Sequence, residues 1–221
     1  MSKYFVIIAG LFITSLLTAN IIAVKLIDVY GFVLTAGIII FPVSYIFGDV
    51  LTEVYGYNKA RLVIWLGFFC NLLMVIAIMV AIKLPAAGFW NNQEAFSVIL
   101  GFTPRLLLAS FMAYLVGEFA NSYILAKLKI RTKGKHLWVR TIGSTIVGQG
   151  FDSLVFVVVG FVGVIPIGGL YEVILYQWVF KSLYEILITP VTYLVVGYLK
   201  RVEGIDTFDY STRFNPFAIN E

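Results

Sequence analysis

The chain has 221 residues, of which 61% are hydrophobic and 13% are charged, and its mean hydropathy is +0.96. This composition excludes a water-soluble globule, because such domains carry about 25% charged residues. The formal net charge of +4 does not indicate a nucleic-acid partner, because the lysines and arginines lie in short connections between apolar stretches. The single cysteine, Cys70, excludes an intramolecular disulfide and a cysteine-rich metal site. We therefore predict an all-α integral membrane protein without a cofactor or metal.

Apolar stretches occupy almost the whole chain, and about 20 such residues suffice for one helical span. The first stretch has no small-residue cleavage site, so we expect it to be retained and not removed as a signal peptide. Only helices are expected, because nothing in the sequence alternates with period two. We predict one six-helix transmembrane domain over residues 1–202, with spans near residues 4–24, 32–55, 61–82, 105–126, 141–165 and 171–199.

Basic residues predict the orientation of these spans. Lys59 and Arg61 lie between the second and third spans, a dense basic stretch at residues 127–140 lies between the fourth and fifth, and Lys200 follows the sixth. All three sites share one side of the membrane, and lysine and arginine are enriched on the cytoplasmic side. Both termini are therefore predicted to be cytoplasmic, and residues 203–221 are expected to form a short, loosely ordered tail.

The second predicted span carries a polar stripe. Tyr45, Asp49 and Glu53 recur at four-residue intervals, so they share one helical face. Charged groups are costly inside a bilayer and usually mark the path of a substrate or an ion. An alternative for Asp49 and Glu53 is that they emerge among the cytoplasmic lipid headgroups near Lys59 and Arg61. Pro42 predicts an interruption of this span, because proline removes a backbone donor from a helix.

The sixth predicted span repeats the four-residue spacing with Gln177, Lys181 and Glu185, and Tyr184 lies beside them. An alternative for Lys181 and Glu185 is that they neutralise each other as an intrahelical ion pair. Further polar groups and aromatic rings that could contact a flat ligand are spread over the other spans. These candidates are Asn20, Phe41, Glu118, Asn121, Gln149, Phe151, Asp152 and Ser153.

A shared cavity between the helices is the simplest explanation for so many costly groups. Such a cavity is typical of a transporter, and its excess of carboxylates favours ligands that donate hydrogen bonds, carry positive charge or bring protons. An intramembrane enzyme that uses Asp49 and Asp152 as acid and base is a rival, but no nucleophile, metal cluster or cofactor motif accompanies them. A structural or signalling membrane protein would not need these intramembrane charges.

The most specific stretch is FPVSYIFGDVLTEVYGY at residues 41–57, which resembles the queuosine precursor transporter family, also called the vitamin uptake transporter family. The stretches TANI at 18–21, GQGFDS at 148–153 and KSLYE at 181–185 agree with this resemblance. It implies a multi-pass protein of the bacterial inner membrane that imports 7-deazaguanine bases used to make the modified tRNA nucleoside queuosine. These bases are 7-cyano-7-deazaguanine, 7-aminomethyl-7-deazaguanine and queuine.

The resemblance also suggests how the candidate residues would act. A guanine-like edge offers a ring NH and an amine, which one carboxylate can accept together, whereas the carbonyl edge needs donors. An aminomethyl substituent is cationic and suits a carboxylate-rich site better than a cyano group does. The first edge would be bound by Asp49, Glu53, Asp152 or Glu185, and the second by Gln149, Asn20 or Lys181.

The energy source is left open by the sequence, which has no ATP-binding loop of the Walker type. Our hypothesis is a secondary carrier in which protonation of Asp49, Glu53 or Glu185 is coupled to base binding. We also expect the carrier to form a homodimer. The alternative is a substrate-binding membrane subunit of an energy-coupling-factor importer. Such a subunit would dock through the ridge of small residues on the first span, which consists of Ser15, Ala19 and Ala23.

Overall fold

A computed structural model describes residues 2–29, 32–101, 104–163 and 166–218. Within these ranges the chain forms a helical bundle, one β-hairpin and one docked C-terminal segment. The hairpin pairs β1 (Leu26–Val29) with β2 (Phe32–Thr35) in antiparallel register. The seven α-helices are α1 (Lys3–Ile22), α2 (Phe41–Val50), α3 (Tyr57–Lys83), α4 (Gln93–Leu100), α5 (Pro104–Arg131), α6 (Leu137–Phe161) and α7 (Ile167–Glu203).

The predicted second span is the element that differs most from expectation. The predicted helical class is confirmed, but a continuous helix over residues 32–55 is wrong, because the first residues of this span pair in the β-hairpin. The segment begins as β2, passes through a 3-10 helix at Ala36–Ile39 and becomes α-helical at Phe41. Pro42 lies in the first turn of α2, where its missing N–H has no partner to lose, so it starts the helix and does not interrupt it. A π-helical turn, Leu51–Tyr55, then continues α2 to Gly56.

The other five predicted spans correspond to α1, α3, α5, α6 and α7. Among the described residues, four helices are long and apolar enough to cross a membrane: α1, α3, α6 and α7. At 28 residues α5 is about 42 Å long, but its middle carries the buried polar side chains of Glu118, Asn121 and Ser122. Residues 164–165 of the predicted fifth span and residues 219–221 of the predicted tail lie outside the described ranges.

Both ends of the described chain lie at the same end of the bundle. The Ser2 hydroxyl donates to Glu203 at the end of α7, and the Phe5 ring packs 5.1 Å from that of Tyr55. At the other end of α1, the Ala19 carbonyl oxygen approaches Gly37 so closely that a Cβ there would lie 2.9 Å away. Residues 36–55 therefore run antiparallel to α1. We call the end that contains Ser2, Tyr55 and Glu203 the basic end, because Lys129, Arg140 and Lys200 also lie there.

Helices α5 and α6 make backbone-to-backbone contact at two glycines. A Cβ built on Gly148 would lie 2.8 Å from the Asn121 Cβ and 3.0 Å from the Gly117 carbonyl oxygen. Distances of this kind leave no room for a side chain at position 148. The two glycines therefore set the close approach of α5 and α6 in the middle of the bundle.

Gly148→Ala is expected to lower the free energy of unfolding by about 1–3 kcal/mol, because the added methyl group forces two backbones apart. Gly197→Ala is a matched control in α7, where no described heavy atom lies within 4 Å of the new Cβ. The free energy of unfolding of this control should stay unchanged or rise by up to about 1 kcal/mol, because alanine loses less conformational entropy in a helix than glycine does. Chemical unfolding in detergent measures both, and equal stability of the two variants would contradict the packing argument.

The C-terminal segment, residues 204–218, is ordered along the basic end, so the expectation of a loosely ordered tail is wrong. The Tyr57 N–H donates to both Asp209 carboxylate oxygens at 3.1 and 3.2 Å. The Arg61 guanidinium donates to the backbone carbonyls of Arg213 and Asn215 at 3.1 and 2.8 Å. These contacts hold the segment against the first turns of α3.

Candidate functional site

Buried polar side chains from α2, α5, α6 and α7 form the candidate site. Each of them is at most 6% exposed, although the helices that carry them are apolar. Burying a polar group is costly unless it is hydrogen-bonded, so a set of this size requires an explanation. We call this set the central cluster, and it consists of Tyr45, Asp49, Glu118, Asn121, Gln149, Asp152 and Glu185.

Glycines bring these helices close enough for the side chains to converge. A Cβ on Gly48 of α2 would lie 3.1 Å from the Glu118 Oε2 atom of α5. A Cβ on Gly117 of α5 would lie 3.0 Å from the Tyr45 hydroxyl and 2.9 Å from the Asp152 Cβ of α6. The cluster therefore occupies the common crossing region of α2, α5 and α6.

Helix α7 contributes Glu185, the residue that the four-residue spacing on the sixth span predicted. Its carboxyl group lies near enough to Asp49 and Glu118 for electrostatic repulsion between them. Three carboxyl groups from three helices are thus close enough to repel one another when they are ionised, and Asp152 of α6 also repels Glu118. Such an arrangement is unfavourable when all three are ionised, so it favours a bound cation, a hydrogen-bond donor or a proton.

One hydrogen bond organises the centre of the cluster. The Asn121 Nδ2 atom donates to the Asp49 Oδ1 atom at 2.7 Å. Within the described part of the chain, no hydrogen-bond partner exists for the Asp49 Oδ2 atom, the Glu118 Oε2 atom or either carboxyl oxygen of Glu185. The Gln149 Oε1 atom and the Tyr45 hydroxyl likewise have none there. Buried acceptors of this kind normally have partners, so the cluster has the chemistry of a site for a ligand with several N–H groups.

Lys181 pairs across helices and not along its own. Its Nζ atom lies 2.5 Å from the Asp152 Oδ2 atom, whereas the predicted alternative was an intrahelical pair with Glu185. The ammonium also lies 4.3 Å from the centre of the Phe41 ring, which itself packs 5.3 Å from the Tyr45 ring. Lys181 therefore neutralises one carboxylate at the edge of the cluster, and among the described residues no lysine or arginine forms an ion pair with Asp49, Glu118 or Glu185.

Glu53 lies one turn beyond Asp49 but in a separate group of charges at the basic end. Arg140 binds its carboxylate with two hydrogen bonds of 2.7 and 2.8 Å, and the Lys200 Nζ atom lies 2.5 Å from its Oε1 atom. Lys129 lies 3.6 Å from the same oxygen. Both lysines also bind Asp206, at 2.5 and 2.9 Å. We call these five residues the Glu53 network.

The geometry of this network removes the headgroup alternative for Glu53, since its side chain is 0% exposed and does not face Lys59. Lys59 instead lies over the rings of Phe5 and Tyr55. The three cations satisfy the Glu53 carboxylate, so in this conformation it has no free oxygen for a substrate. Its direct contact with substrate stays a prediction that this arrangement does not favour.

The remaining predicted residues lie at the margin of the cluster or away from it. Ser153 is fully buried next to Asp152, and its hydroxyl has no partner among the described residues. Gln177 and Tyr184 are half-buried on α7, and Asn20 is half-buried near the end of α1, where the described contacts do not join it to the cluster. Phe151 is 45% exposed on the outer face of α6, so its ring does not face the cluster.

Sequence reasoning did not identify the basic members of the Glu53 network. In the sequence, Arg140, Lys129 and Lys200 indicate only the orientation of the chain in the membrane. Arg140 lies in the first turn of α6, next to the buried Thr141, and the signal that could have identified it is a charged side chain at the start of an apolar span. Thr192 was also missed: it lies seven residues after Glu185, on the same face of α7, with its hydroxyl buried and unpaired in the described region.

The cluster is closed to the surface in this conformation. One surface groove lies between α3 and α4 and is lined by Ala81, Leu84 and Trp90. A second, apolar groove lies between α1 and α7 and is lined by Tyr4, Leu11 and Leu194. Neither groove is lined by a member of the cluster, so a ligand reaches these side chains only after helices move.

Comparison with known proteins identifies related chains. A family model described as "Putative vitamin uptake transporter" matches residues 35–195. A probable queuosine precursor transporter from Bacillus subtilis (strain 168) is 29% identical over 176 residues, which cover 79% of this chain and 77% of the relative. No solved structure matches the chain significantly.

Two further relatives are matched over a smaller share of their length. The queuosine precursor transporter of Escherichia coli (strain K12) is 27% identical over 61% of this chain and 58% of the relative. A probable queuosine precursor transporter of Haemophilus influenzae is 24% identical over 66% of this chain and 59% of the relative. The matched core is therefore less than two thirds of the length of these two proteins.

Proposed function

The chain belongs to the vitamin uptake transporter family, and from this premise we propose that it imports queuosine precursors, the 7-deazaguanine bases. It is a multi-pass transport protein of the bacterial cytoplasmic (inner) membrane and not an enzyme. The names of its relatives support the substrate class. The unpaired carboxyl oxygens of the central cluster are the observation from the structure that supports it most strongly.

The chemistry of a 7-deazaguanine base complements those oxygens. Its ring NH and exocyclic amine form two adjacent donors, which a single carboxylate can accept as a bidentate pair. Asp49, Glu118 and Glu185 each keep at least one buried oxygen without a partner among the described residues. We propose that Asp49 or Glu185 binds this edge and that Tyr45 and Phe41 pack against the ring.

The charge balance supports a preference for a cationic base. Four carboxyl groups lie in the cluster, and Lys181 is bound to one of them, Asp152. An aminomethyl substituent adds an ammonium group, which the carboxylates stabilise, whereas a cyano group gains nothing from them. We propose 7-aminomethyl-7-deazaguanine or queuine as the preferred substrate.

Lys181→Gln tests this preference, because the change removes the ammonium that competes with a cationic ligand for Asp152. The ratio of affinities for the aminomethyl and cyano bases is expected to rise by about tenfold, the effect of roughly 1.4 kcal/mol. Competition against a labelled base in proteoliposomes measures this ratio. Lys133→Gln, at an exposed turn, is the matched control. An equal change in the affinity for both bases would contradict the role of Lys181 in charge selection.

We further propose six membrane crossings with both termini cytoplasmic. The path of the chain supports this, because α1, α3 and α6 begin at the basic end while residues 36–55, α5 and α7 return to it. The lysines and arginines of that end fit the cytoplasmic side. The homodimer expected from the sequence stays a prediction.

The closed cluster supports a carrier mechanism with alternating access. A substrate can enter and leave a fully buried site only if the helices open first toward one side and then toward the other. The facing carboxyl groups of Asp49, Glu118 and Glu185 support proton coupling, because a proton relieves their mutual repulsion. We therefore propose a secondary carrier that couples base uptake to proton movement.

Uptake of a labelled 7-deazaguanine base by proteoliposomes that contain only this chain tests the proposed function. Saturable uptake that increases with an imposed inward proton gradient is expected. Uptake at a rate that does not depend on the gradient would contradict proton coupling and would favour facilitated diffusion. Binding without uptake would favour a subunit of an energy-coupling-factor importer.

The packing of α1 opposes that alternative at the ridge where docking was expected. Ser15 is 7% exposed and Ala19 is 2% exposed, so both are already buried in this chain. The ridge supports the approach of residues 36–39 to α1 and offers little surface to another protein. An importer complex would therefore need a different docking face.

A further inference from the structure

The C-terminal segment is part of the same set of contacts as the Glu53 network. Asp206 in this segment binds Lys129 of α5 and Lys200 of α7, and both lysines also approach Glu53. The Lys129 Nζ atom donates as well to the Thr207 carbonyl at 2.7 Å. A segment outside the helices thus completes an ion network that joins α5, α6, α7 and the π-helical turn.

The segment also contacts the end of that turn through its backbone. The Thr207 N–H donates to the Val54 carbonyl at 3.2 Å. Next to it, Gly56 has a φ of 86°, and a Cβ there would lie 2.6 Å from the Thr207 Cγ2 atom. Glycine is therefore required at position 56 both by the left-handed backbone and by the close approach of the segment.

The π-helical turn connects the segment to the central cluster. Asp49 and Glu53 lie one helical turn apart, and Thr52 between them hydrogen-bonds Ser122 of α5 at 3.1 Å. Wide turns of this kind occur frequently at functional sites. A shift of Asp49 on ligand binding would therefore displace Glu53, to which the network and the C-terminal segment are attached.

We propose that the C-terminal segment closes a gate at the basic end, holding the Glu53 network together until it is released so that substrate can leave the central cluster. The direction in which substrate leaves through this gate rests on the proposed function, whereas the contacts that form the gate do not. Glu53 is then a positioning residue of the gate, separate from the residues that touch substrate.

The charge of Asp206 supports a gate that stays closed at ordinary pH. Burial favours its neutral form, but hydrogen bonds and charges from Lys129 and Lys200 outweigh burial and place the pKa of Asp206 below its ordinary value. Because the folded-state pKa is lowered, its contribution is complete above the ordinary pKa of about 3.9 and is lost only as the pH falls through the lowered value.

Accordingly, the segment should remain bound between about pH 5 and pH 8. The mobility of a spin label at position 214 measures its attachment. Lys129 and Lys200 are the charged groups that face Asp206. The expected result is unchanged mobility of the label across this range. A label that becomes mobile near pH 5 would contradict the assignment of Asp206 to the ion network.

The first test of the gate measures access to the space between the cluster and the network. Ser122→Cys supplies a buried thiol there, in a Cys70→Ser background. The double variant Asp206→Asn with Asp209→Asn should speed alkylation of this thiol by about tenfold or more. The reason is that the two carboxylates accept hydrogen bonds from the Lys129 ammonium and the Tyr57 N–H, and both bonds weaken when the negative charges are removed. The control is Glu172→Gln, which removes an exposed charge at the start of α7.

Alkylation requires no substrate, so its result is independent of the identity of the transported base. A monodisperse, folded double variant whose thiol reacts at the original rate would overturn the gate. If this gate opens but no base is taken up by any variant, the proposed function fails and the gate stands.

The second test locks the segment without removing a charge. The rings of Tyr123 on α5 and Phe214 in the segment lie 5.2 Å apart, so cysteines at these positions can be joined by a short cleavable cross-linker. Joining them should reduce base uptake by about tenfold while base binding persists, and reduction should restore uptake. Uptake at the unlinked rate after complete cross-linking would show that the segment does not need to be released.

Discussion

Glu185→Gln and Asp49→Asn are each expected to reduce base binding by about 10- to 100-fold and to abolish measurable uptake. Both carboxyl groups are buried in the central cluster, and three of their four oxygens have no partner among the described residues. An amide keeps one acceptor but loses the charge and cannot bind two adjacent N–H groups through two oxygens. The lost interaction corresponds to a charged hydrogen bond worth about 1.5–3 kcal/mol.

The two substitutions are nearly isosteric, which separates binding from folding. In Asp49→Asn the Asn121 Nδ2 atom can still donate to the side-chain oxygen at position 49, so the contact between α2 and α5 is preserved. Equilibrium binding of a labelled base and uptake into proteoliposomes are the measurements, and Glu172→Gln is the exposed control. Wild-type affinity in both folded variants would contradict the placement of the substrate site in the central cluster.

Arg140→Gln is expected to lower the free energy of unfolding by about 1.5–3 kcal/mol, because Glu53 loses its two hydrogen bonds from Arg140 and keeps only its lysine partners. Glu53 and Arg140 are 0% and 2% exposed at their side chains, so water cannot replace these hydrogen bonds. Arg140 also donates to the Lys135 carbonyl at 2.6 Å, which fixes the turn before α6.

A double substitution distinguishes lost charge interactions from lost packing. Glu53→Gln with Arg140→Gln also removes the carboxylate that Lys129 and Lys200 share and leaves these lysines with Asp206, so it is expected to be less stable than Arg140→Gln alone. Chemical unfolding in detergent measures the difference, and Arg131→Gln, at the exposed end of α5, is the control. A double variant as unstable as Arg140→Gln alone would indicate that packing and not charge dominates.

Local spacing was sufficient to predict which helix faces carry the buried polar side chains of the central cluster. Tyr45 and Asp49 lie on one side of α2 as their four-residue interval requires, and Glu185 faces the same cluster from α7. The overall class of membrane-spanning helical protein followed from hydropathy alone. These features depend on neighbours a turn apart, which a single sequence displays directly.

Pairing between helices could not be predicted in the same way. Lys181 had two carboxylates within reach, and nothing in its own helix indicates that it selects Asp152 on α6 over Glu185 one turn away. Glu53 likewise selects Arg140, which lies 87 positions later in the chain. Such choices depend on how helices are rotated and offset, which their own periodicity does not determine.

The prediction of one continuous helix for the second span was wrong for a different reason. Hydropathy is high throughout residues 32–55, but hydropathy does not distinguish a strand, a 3-10 helix and an α-helix. The aromatic and β-branched residues of β2 favour a strand, and Pro42 fits the beginning of a helix. A reading that used these local preferences would have started the helix near residue 41.

The glycine contact between α5 and α6 divides the bundle into parts of unequal freedom. Because backbones touch at Gly117 and Gly148, these two helices can neither slide nor rotate past each other without collision. In the carrier cycle that we propose, these two helices would stay fixed relative to each other while α2 with Asp49 and α7 with Glu185 shift against them. We therefore expect distances between probes on α5 and α6 to stay constant, and distances from this pair to α2 or α7 to change between the states of the cycle.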